Sequence, residues 1–375
     1  MKKLFFIAAI AGAALVSCTK NELAPSVTEQ QEITFTAPVI GTLTKAPVPG
    51  EIGAGSYSTD EEFNVYAVYH EGEYVSATST KKYMDNVPVA YGSPTKNYWA
   101  PEHVTDGVAY YWPKNTDGML TFAAYSPSET SGTVGWTAAS GFTLSNFVVE
   151  SSTADQYDLM FSKRTMNKTS SIGGTSYDGV DINFEHALSS IVFKAQREGE
   201  YVGMTIKLYS ITILDVYNKG NYTQGLVDDN SNDCQSGYPK WEVATDAVET
   251  DYVVFNSTDG VSINAETMST PLTAINNPVI LLPQLFKHTL NEVSVQIDYS
   301  IKTATGDEVP QQKIISLETG NGGGQFKDGT NNIDGWKIGK RYTYTIVFGL
   351  ETIYFSPEVE TDWDDVTVTG SGLDL

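Results

Sequence analysis

Residue types that commonly carry out catalysis or bind metals occur in this sequence, but their spacing favours neither activity. The four histidines are scattered along the chain at His70, His103, His186 and His288. Zinc sites need histidine or cysteine pairs at short, fixed spacings, and neither His-x-x-x-His nor Cys-x-x-Cys occurs. Nucleophile elbows, phosphate-binding loops and dinucleotide-binding fingerprints are absent from the sequence as well. The sequence therefore predicts a protein that is not an enzyme, with no catalytic residues, metal site or cofactor.

Two acidic groups have the residue types of a calcium site or of a carboxylate pair, but not the required spacing. Residues 228–233 place oxygen-bearing side chains at alternate positions, as calcium-binding loops do. The sixth position is Asp233 and the twelfth is Pro239, where an EF-hand needs glycine and glutamate. A solvated turn is therefore favoured over a loose calcium site. Residues 362–365 carry three aspartates in one segment, whereas the carboxylate pairs of glycosidases come from separate elements.

Cys18 is placed for a different chemistry, the attachment of a lipid. It follows a basic start and an apolar run over residues 4–16, which together are typical of an export signal. The run is shorter than the roughly 20 residues that span a bilayer, so we expect residues 1–17 to be removed as a signal peptide. Leu15-Val16-Ser17-Cys18 resembles the lipobox of bacterial lipoproteins, which implies a diacylglycerol on the Cys18 thiol. An ordinary secretory signal with a cysteine near the cut is the alternative.

Composition limits the partners and the source of stability. The formal charge is −23, and it becomes −25 when Lys2 and Lys3 are lost with the signal peptide. Such a charge opposes binding to nucleic acid, so no nucleic-acid partner is expected. Roughly 360 mature residues are enough for two cores of ordinary size. With Cys18 acylated, no second cysteine remains for a disulfide with Cys234, so we expect stability to come from burial and not from a disulfide.

Apolar and polar residues alternate along most of the chain, which is the period of β-strands. Residues 292–302 place valine, isoleucine and tyrosine at odd positions and polar residues at even positions. Residues 63–69 and 342–348 repeat this alternation, so each predicted strand has one core face and one solvent face. Within residues 204–214 the apolar set changes phase, which predicts a β-bulge. The sequence therefore predicts an all-β fold of the sandwich type.

Composition also predicts how the chain is divided. Residues 18–45 form a lipidated tether followed by a first strand, and the polar stretch 19–32 is typical of a flexible linker. A stretch rich in serine, glycine and threonine at residues 165–180 predicts a domain boundary. We place an N-terminal sandwich domain at residues 46–178 and a C-terminal sandwich domain at residues 179–375.

Several segments, taken together and in order, resemble the fimbrillin-like lipoproteins, whose polymerising members are the type V pilins. The resemblance is carried by YWP at 111–113, LTFAAYSP at 120–127, YDLM at 157–160, FEHALSSIVF at 184–193, WKIGKRYTY at 336–344 and Trp363. Each segment alone is weakly specific. With the lipobox, the ordered set covers most of the chain.

The resemblance implies a fold, a location and an assembly mechanism. The fold would be two transthyretin-like β-sandwich domains in tandem. The protein would be exported as a lipoprotein to the outer membrane and the cell surface, as part of a fimbrium. There a trypsin-like protease would remove the N-terminal strand with its lipid, and a strand from the next subunit would fill the groove. The implied partners are other fimbrillin-like subunits, the outer membrane through the lipid, and surface ligands of host or bacterium.

The strand that leaves in this mechanism matches residues shortly after the tether. The predicted plug strand has Ile33, Phe35, Ala37 and Val39 on one apolar face, alternating with Thr34, Thr36 and Pro38. Proline lacks a backbone N–H, so an outward Pro38 suits a strand at the edge of a sheet. Loss of the strand would expose an apolar groove with unpaired backbone groups, which recruits another strand.

Processing and donation are predicted at two further places. The pilin pattern generally has a basic residue at the cut, and here the possible processing site is Lys45-Ala46. No arginine precedes Arg164, so an arginine-specific protease would find no site before it. The possible donor strand near the end of the sequence has apolar residues at Val366, Val368, Leu373 and Leu375. An ordinary closing strand of the C-terminal domain is the alternative for that segment.

Two other functions are compatible with an exported β-sandwich protein. The main alternative is a glycan-binding surface lipoprotein of a polysaccharide uptake system. Its ligand contacts would come from aromatic residues predicted in loops, namely Tyr98, Trp99 and Trp136. A surface hydrolase is a weaker alternative, because the sequence contains no recognisable catalytic motif.

Overall fold

The structure of the chain is a computed structural model. The structure describes residues 31–40, 57–74, 80–92, 96–170, 179–199, 202–227, 234–263, 278–289, 291–318, 326–328, 331–349 and 353–361. Within these residues the regular elements are β-strands, apart from one short 3-10 helix at Pro101–His103. The predicted all-β fold is confirmed. No helix among the described residues has the length and apolarity needed to cross a bilayer.

Ten strands come from the first half of the chain. They are β1 (Val39–Ile40), β2 (Phe63–Glu71), β3 (Lys81–Tyr91), β4 (Trp99–Ala100), β5 (Gly118–Ser126), β6 (Thr133–Thr137), β7 (Gly141–Val148), β8 (Met160–Ser162), β9 (Thr165–Lys168) and β10 (Asn183–His186).

Twelve strands follow. They are β11 (Ser189–Arg197), β12 (Thr205–Tyr217), β13 (Lys219–Thr223), β14 (Lys240–Val243), β15 (Glu249–Ile263), β16 (Val279–Leu281), β17 (Ser294–Lys302), β18 (Glu308–Ser316), β19 (Lys327–Asp328), β20 (Asn331–Asn332), β21 (Lys340–Phe348) and β22 (Ile353–Thr361).

These strands form four main sheets. Sheet I has the order β1-β10-β8-β5-β2-β3-β4, with β9 also paired to β5, and sheet II has the order β14-β13-β7-β6. Sheet III has the order β16-β11-β21-β22, and sheet IV has the order β15-β12-β17-β18. Most neighbours are antiparallel, but β1 with β10 and β11 with β21 are parallel. Parallel neighbours require long connections, so these pairs join parts of the chain that are far apart in sequence.

The centre of sheet I, at β2 and β5, is buried on both faces. One face of β2 carries Phe63, Val65 and Ala67, and the residues between them, including Asn64 and Tyr66, are buried as well. Tyr66 packs on Trp136 and Phe142 of sheet II at ring distances of 5.8 and 5.9 Å. The prediction of a solvent face for residues 63–69 is therefore wrong, because sheet II covers the face that the alternation pattern left for water.

Sheets III and IV enclose a second part of the core. In β17 the predicted alternation is confirmed at Val295 and Ile297, which are fully buried. The predicted bulge within residues 204–214 is confirmed, because the register of β12 shifts between Leu208 and Ser210 against both of its neighbours. The extra residue moves the following side chains to the other face.

Strands on both sides of the predicted domain boundary share sheets. The strand β10 follows the boundary in sequence but pairs with β8 and β1 in sheet I. The strand β13 pairs with β7, and a stacked ring pair, Phe161 and Tyr222 at 4.6 Å, joins the two sheets that these strands build. Residues 171–178 lie outside the described residues. The division of the chain at residue 178 stays a prediction.

Candidate functional site

The predicted plug strand lies within residues 31–40, here called the plug segment. Its backbone is bonded along both sides. On one side the N–H groups of Ile33 and Phe35 donate to the carbonyl oxygens of Tyr110 and Trp99 at 2.7 and 2.8 Å. On the other side the segment and Val180 exchange hydrogen bonds: the Val180 N–H donates to Thr34 at 2.8 Å and the Thr36 N–H donates to Val180 at 3.1 Å. Residues 33–36 therefore have neighbours on both sides, and the expected edge position is found only at Val39–Ile40, where β1 is the outermost strand of sheet I.

Two side chains of the plug segment are completely buried. Ile33 is 0% exposed and Phe35 is 1% exposed. The ring of Phe35 meets Phe63 and Phe122 of sheet I edge-on, at centroid distances of 5.8 and 5.9 Å. Burial of a large apolar side chain contributes about 1.5–3 kcal/mol, and a well-oriented ring pair adds about 0.5–1.5 kcal/mol. The segment is therefore anchored mainly through Phe35.

The alternation of the plug segment breaks after Thr36. Ala37 is exposed and Pro38 is buried, so the prediction for these two residues is wrong, and Val39 is half-buried. The N–H groups of Thr36 and Val39 both donate toward the same neighbour, to Val180 and Ile182. An odd spacing between bonds on one side means that the strand slips by one position, which turns the next side chains over. Since proline has no N–H, Pro38 leaves no donor unpaired at the slip.

The groove around the plug segment is lined by aromatic rings. Tyr57 packs on Trp99 at 5.3 Å and on Phe184 at 5.5 Å, and Phe63 contacts both of these rings at 5.5 and 5.8 Å. The backbone N–H of Tyr57 donates to the carbonyl oxygen of Pro38 at 3.3 Å, which closes the groove over the slip. Burial raises the pKa of the Tyr57 hydroxyl, which keeps this side chain uncharged.

The sequence did not identify Tyr57 or Trp99 as groove residues. Trp99 lies in the two-residue strand β4, which is too short to show a period. The sequence signal that could have indicated a buried Trp99 is its position in the apolar triplet Tyr98-Trp99-Ala100. Trp99 is 2% exposed, so it does not provide the exposed ligand contact that the glycan-binding alternative would assign to it. Trp136 is half-buried because its ring stacks on Tyr66.

Charged residues surround the start of the plug segment. Glu32 lies near an ion pair of Lys96 and Glu102, and the Tyr98 hydroxyl donates to Glu102 at 3.1 Å. Burial, reinforced by the negative charge of Glu102, raises the pKa of Glu32 above its ordinary value. The hydrogen bond from Lys96 lowers the pKa of Glu102. Glu32 of the plug segment is therefore protonated more easily than an ordinary glutamate, whereas the neighbouring Glu102 is protonated less easily.

The remaining predicted site residues lie outside the described residues. These are Cys18, Lys45, Ala46, Val366, Val368, Leu373 and Leu375. Their predicted roles in lipidation, processing and donation stay predictions. Residues 228–233, the possible calcium loop, lie outside as well. The described part of the chain contains no cluster of three or more metal-binding side chains.

The histidines have structural contacts. His70 lies between the Gly72 carbonyl oxygen at 2.8 Å and the Thr121 hydroxyl at 3.0 Å. His186 is buried, and its Nδ1 is 2.5 Å from a carboxylate oxygen of Asp158. The prediction that His186 is a packed, hydrogen-bonded side chain is confirmed.

Comparison with known proteins identifies related sequences and folds. A family model described as fimbrillin-like matches residues 44–363. No curated protein matches the chain. The fold is similar to that of a fimbrial protein from Bacteroides vulgatus, with a TM-score of 0.53 and 18% identity over 88% of this chain and 99% of that chain. Because the identity is low, this similarity supports the fold alone.

Two further solved structures resemble the chain more loosely. A candidate cell adhesion protein from Bacteroides uniformis has a TM-score of 0.44 and 16% identity over 88% of this chain and 97% of that chain. Another from Bacteroides ovatus has a TM-score of 0.45 and 13% identity over 91% of this chain and 99% of that chain.

Proposed function

Because the chain belongs to the fimbrillin-like family, we propose that it is a subunit or anchor of a fimbrium, a structural and adhesive protein without enzymatic activity. It assembles by exchange of the plug segment for a strand of another subunit. Its partners are other fimbrillin-like subunits, and adhesion to a host or bacterial surface ligand is part of the same proposal.

The observation that carries this proposal is the position of the plug segment. It is hydrogen-bonded on both sides and buries Ile33 and Phe35, yet it belongs to the N-terminal end of the chain. Its described part ends at Ile40, only five residues before Lys45. A cut after Lys45 would leave the segment held by non-covalent contacts alone.

Release of the segment would leave a reactive groove. The carbonyl oxygens of Tyr110 and Trp99 and both backbone groups of Val180 would lose their partners. Buried backbone groups need hydrogen bonds, and an unpaired strand edge is a template for another strand. The incoming strand would bring a large apolar side chain to the position of Phe35. The possible donor, with Val366 and Val368 separated by Thr367, has the alternation that this position needs.

Lipidation at Cys18 would hold the chain at the outer membrane before the cut. Twelve residues separate Cys18 from Gln31, the first described residue. A flexible linker of this length has an end-to-end distance of roughly 20 Å, so the plug segment would stay close to the membrane surface. Removal of the segment would also remove the lipid, which couples release from the membrane to opening of the groove.

Limited digestion of the soluble chain, with Cys18 replaced by serine, tests the proposal. A lysine-specific protease should produce a new N-terminus at Ala46, followed by heat-sensitive ladders that resist SDS. The control is Lys45→Gln, which removes the site but keeps a side chain of similar length. Ladders should be absent from the digested control. Cleavage at Lys45 that leaves only monomers would overturn the proposed exchange.

A further inference from the structure

A second feature of the molecule is an open cavity of about 810 Å³. Its walls come from β10, from β14, from the loop 283–289 before β17, and from the loop 336–339 before β21. It is separate from the groove of the plug segment, because none of the groove's aromatic residues lines it.

The wall of the cavity presents apolar side chains to solvent. Leu285 is 61% exposed and Val243 is 38% exposed. The ring of Trp241, which also lines the cavity, is fixed by its indole N–H, which donates to the carbonyl oxygen of Ala187 at 2.6 Å. Trp336 forms the buried floor. A concave apolar surface with a fixed ring favours an occupant that has an apolar or aromatic side chain of its own.

The charge of the cavity is opposite to that of the whole protein. Lys287 and Lys337 line it and are exposed, and neither pairs with a carboxylate within the described part of the chain. The lining contains one carboxylate, Glu185, which lies 3.1 Å from the ammonium of Lys163 outside the cavity. In a chain of formal charge −23, the cavity therefore favours a negatively charged occupant.

A segment with both properties follows the last described residue in the sequence. The strand β22 is antiparallel to β21, and its last residue, Thr361, lies opposite Lys340. Thr361, the last described residue, therefore lies at the same end of sheet III as Gly339, Ile338 and Lys337, which line the cavity. Two extended residues span roughly 7 Å, so the tether from Thr361 is long enough for residue 363 to reach that end of the sheet. The sequence that follows is Asp-Trp-Asp-Asp-Val over residues 362–366, which combines one indole with three carboxylates.

We propose that this cavity binds residues 362–366 of the same chain. The indole of Trp363 packs on Trp241 and Leu285, and the flanking aspartates pair with Lys287 and Lys337. The contact fixes the point at which the C-terminal segment leaves the fold. It does not require the strand exchange proposed above, because it forms within one chain before any cut.

Disulfide trapping within one chain tests this contact. In a background of Cys18→Ser and Cys234→Ser, Asp365→Cys is combined with Leu285→Cys, which keeps the Trp363 indole and both aspartates that flank it. The matched control combines Asp365→Cys with Val309→Cys, at an apolar residue that is 51% exposed. Val309 pairs with Ile301, which in turn pairs with Ile206 near the start of β12. Tyr217, which lines the cavity, is the last residue of β12. That separation is roughly 30 Å, beyond the 4.4–6.8 Å Cα distance of a disulfide.

The proposal expects an intrachain disulfide at Leu285 that forms at least about tenfold faster than at Val309, because a docked segment raises the effective concentration. The double variant Lys287→Glu and Lys337→Glu should slow formation of the disulfide about fivefold. The control double variant Lys302→Glu and Lys313→Glu makes the same charge change on sheet IV and should not slow it. Equal rates at Leu285 and Val309 would overturn the proposal. Disulfide-linked dimers in place of intrachain bonds would also overturn it, by showing that a second copy supplies the segment.

Discussion

Replacement of Phe35 by alanine removes the ring that holds the plug segment against sheet I. The ring is 1% exposed and meets Phe63 and Phe122 edge-on at 5.8 and 5.9 Å. Phe-to-Ala changes at buried positions cost about 3–5 kcal/mol, which includes the cavity that is left. The backbone hydrogen bonds of the segment are unchanged by the substitution. We therefore expect the segment to stay in place but to open far more often.

Amide hydrogen exchange measures this opening directly. The N–H groups of Phe35 and Val180 are reporters, because they donate to Trp99 and Thr34 across the two sides of the segment. A loss of about 3–5 kcal/mol in local stability should raise their exchange rates by roughly 10²–10⁴-fold, if they exchange through local opening. The amide of Ile297, in the buried centre of sheet IV, should change much less.

The matched control for Phe35→Ala is Ala37→Ser in the same segment. Ala37 is exposed, so a small polar side chain there should change local stability by less than about 0.5 kcal/mol. The reasoning would be refuted by exchange at Phe35 and Val180 that rises less than tenfold in Phe35→Ala. It would also be refuted by equal effects of the two substitutions, since burial would then not explain how the segment is held.

Two further predictions concern pH and backbone shape. Burial raises the pKa of Glu32, so the folded state binds this proton more tightly than the unfolded chain does. The resulting stabilisation is present below the pKa of the unfolded chain, near 4.5, and is lost as pH rises through the folded pKa. Urea midpoints should therefore fall less steeply above pH 4.5 in Glu32→Gln than in the parent chain. Gly141 has φ +79°, and an added Cβ would collide with the Gln224 amide, so Gly141→Ala should cost about 2–4 kcal/mol in thermal or urea unfolding. Gly72→Ala, at φ +69° with open space around it, should cost only about 1–2 kcal/mol, and equal losses would contradict the role assigned to the collision.

Features with a short period in the sequence were predicted well. The all-β fold follows from alternation over many segments, and the bulge in β12 follows from a change of phase between Leu208 and Ile211. Ile33 and Phe35 were expected in the core and are buried there. Their positions depend on the two-residue repeat of a strand, which each stretch of sequence carries by itself.

Features that depend on distant neighbours were not predicted. The slip at Ala37 and Pro38 follows from the odd spacing of the bonds that Thr36 and Val39 donate to Val180 and Ile182, which precede β10. Alternation did show the apolar face of β2, but not that sheet II covers its other face. Trp99 gave no periodic signal, because a strand of two residues is too short to show one.

The sequence by itself determined the type of structure, the residues that an isolated strand would bury, and the family. The tertiary structure decided which strands are neighbours. The two neighbours of Phe35 are Trp99 and Val180, which lie 64 and 145 residues further along the chain. No local period records such a pairing. The pairing of Phe35 with these neighbours is stabilised by the mutual burial of Phe35, Phe63 and Phe122. This stabilisation arises only when all three rings lie in the same core.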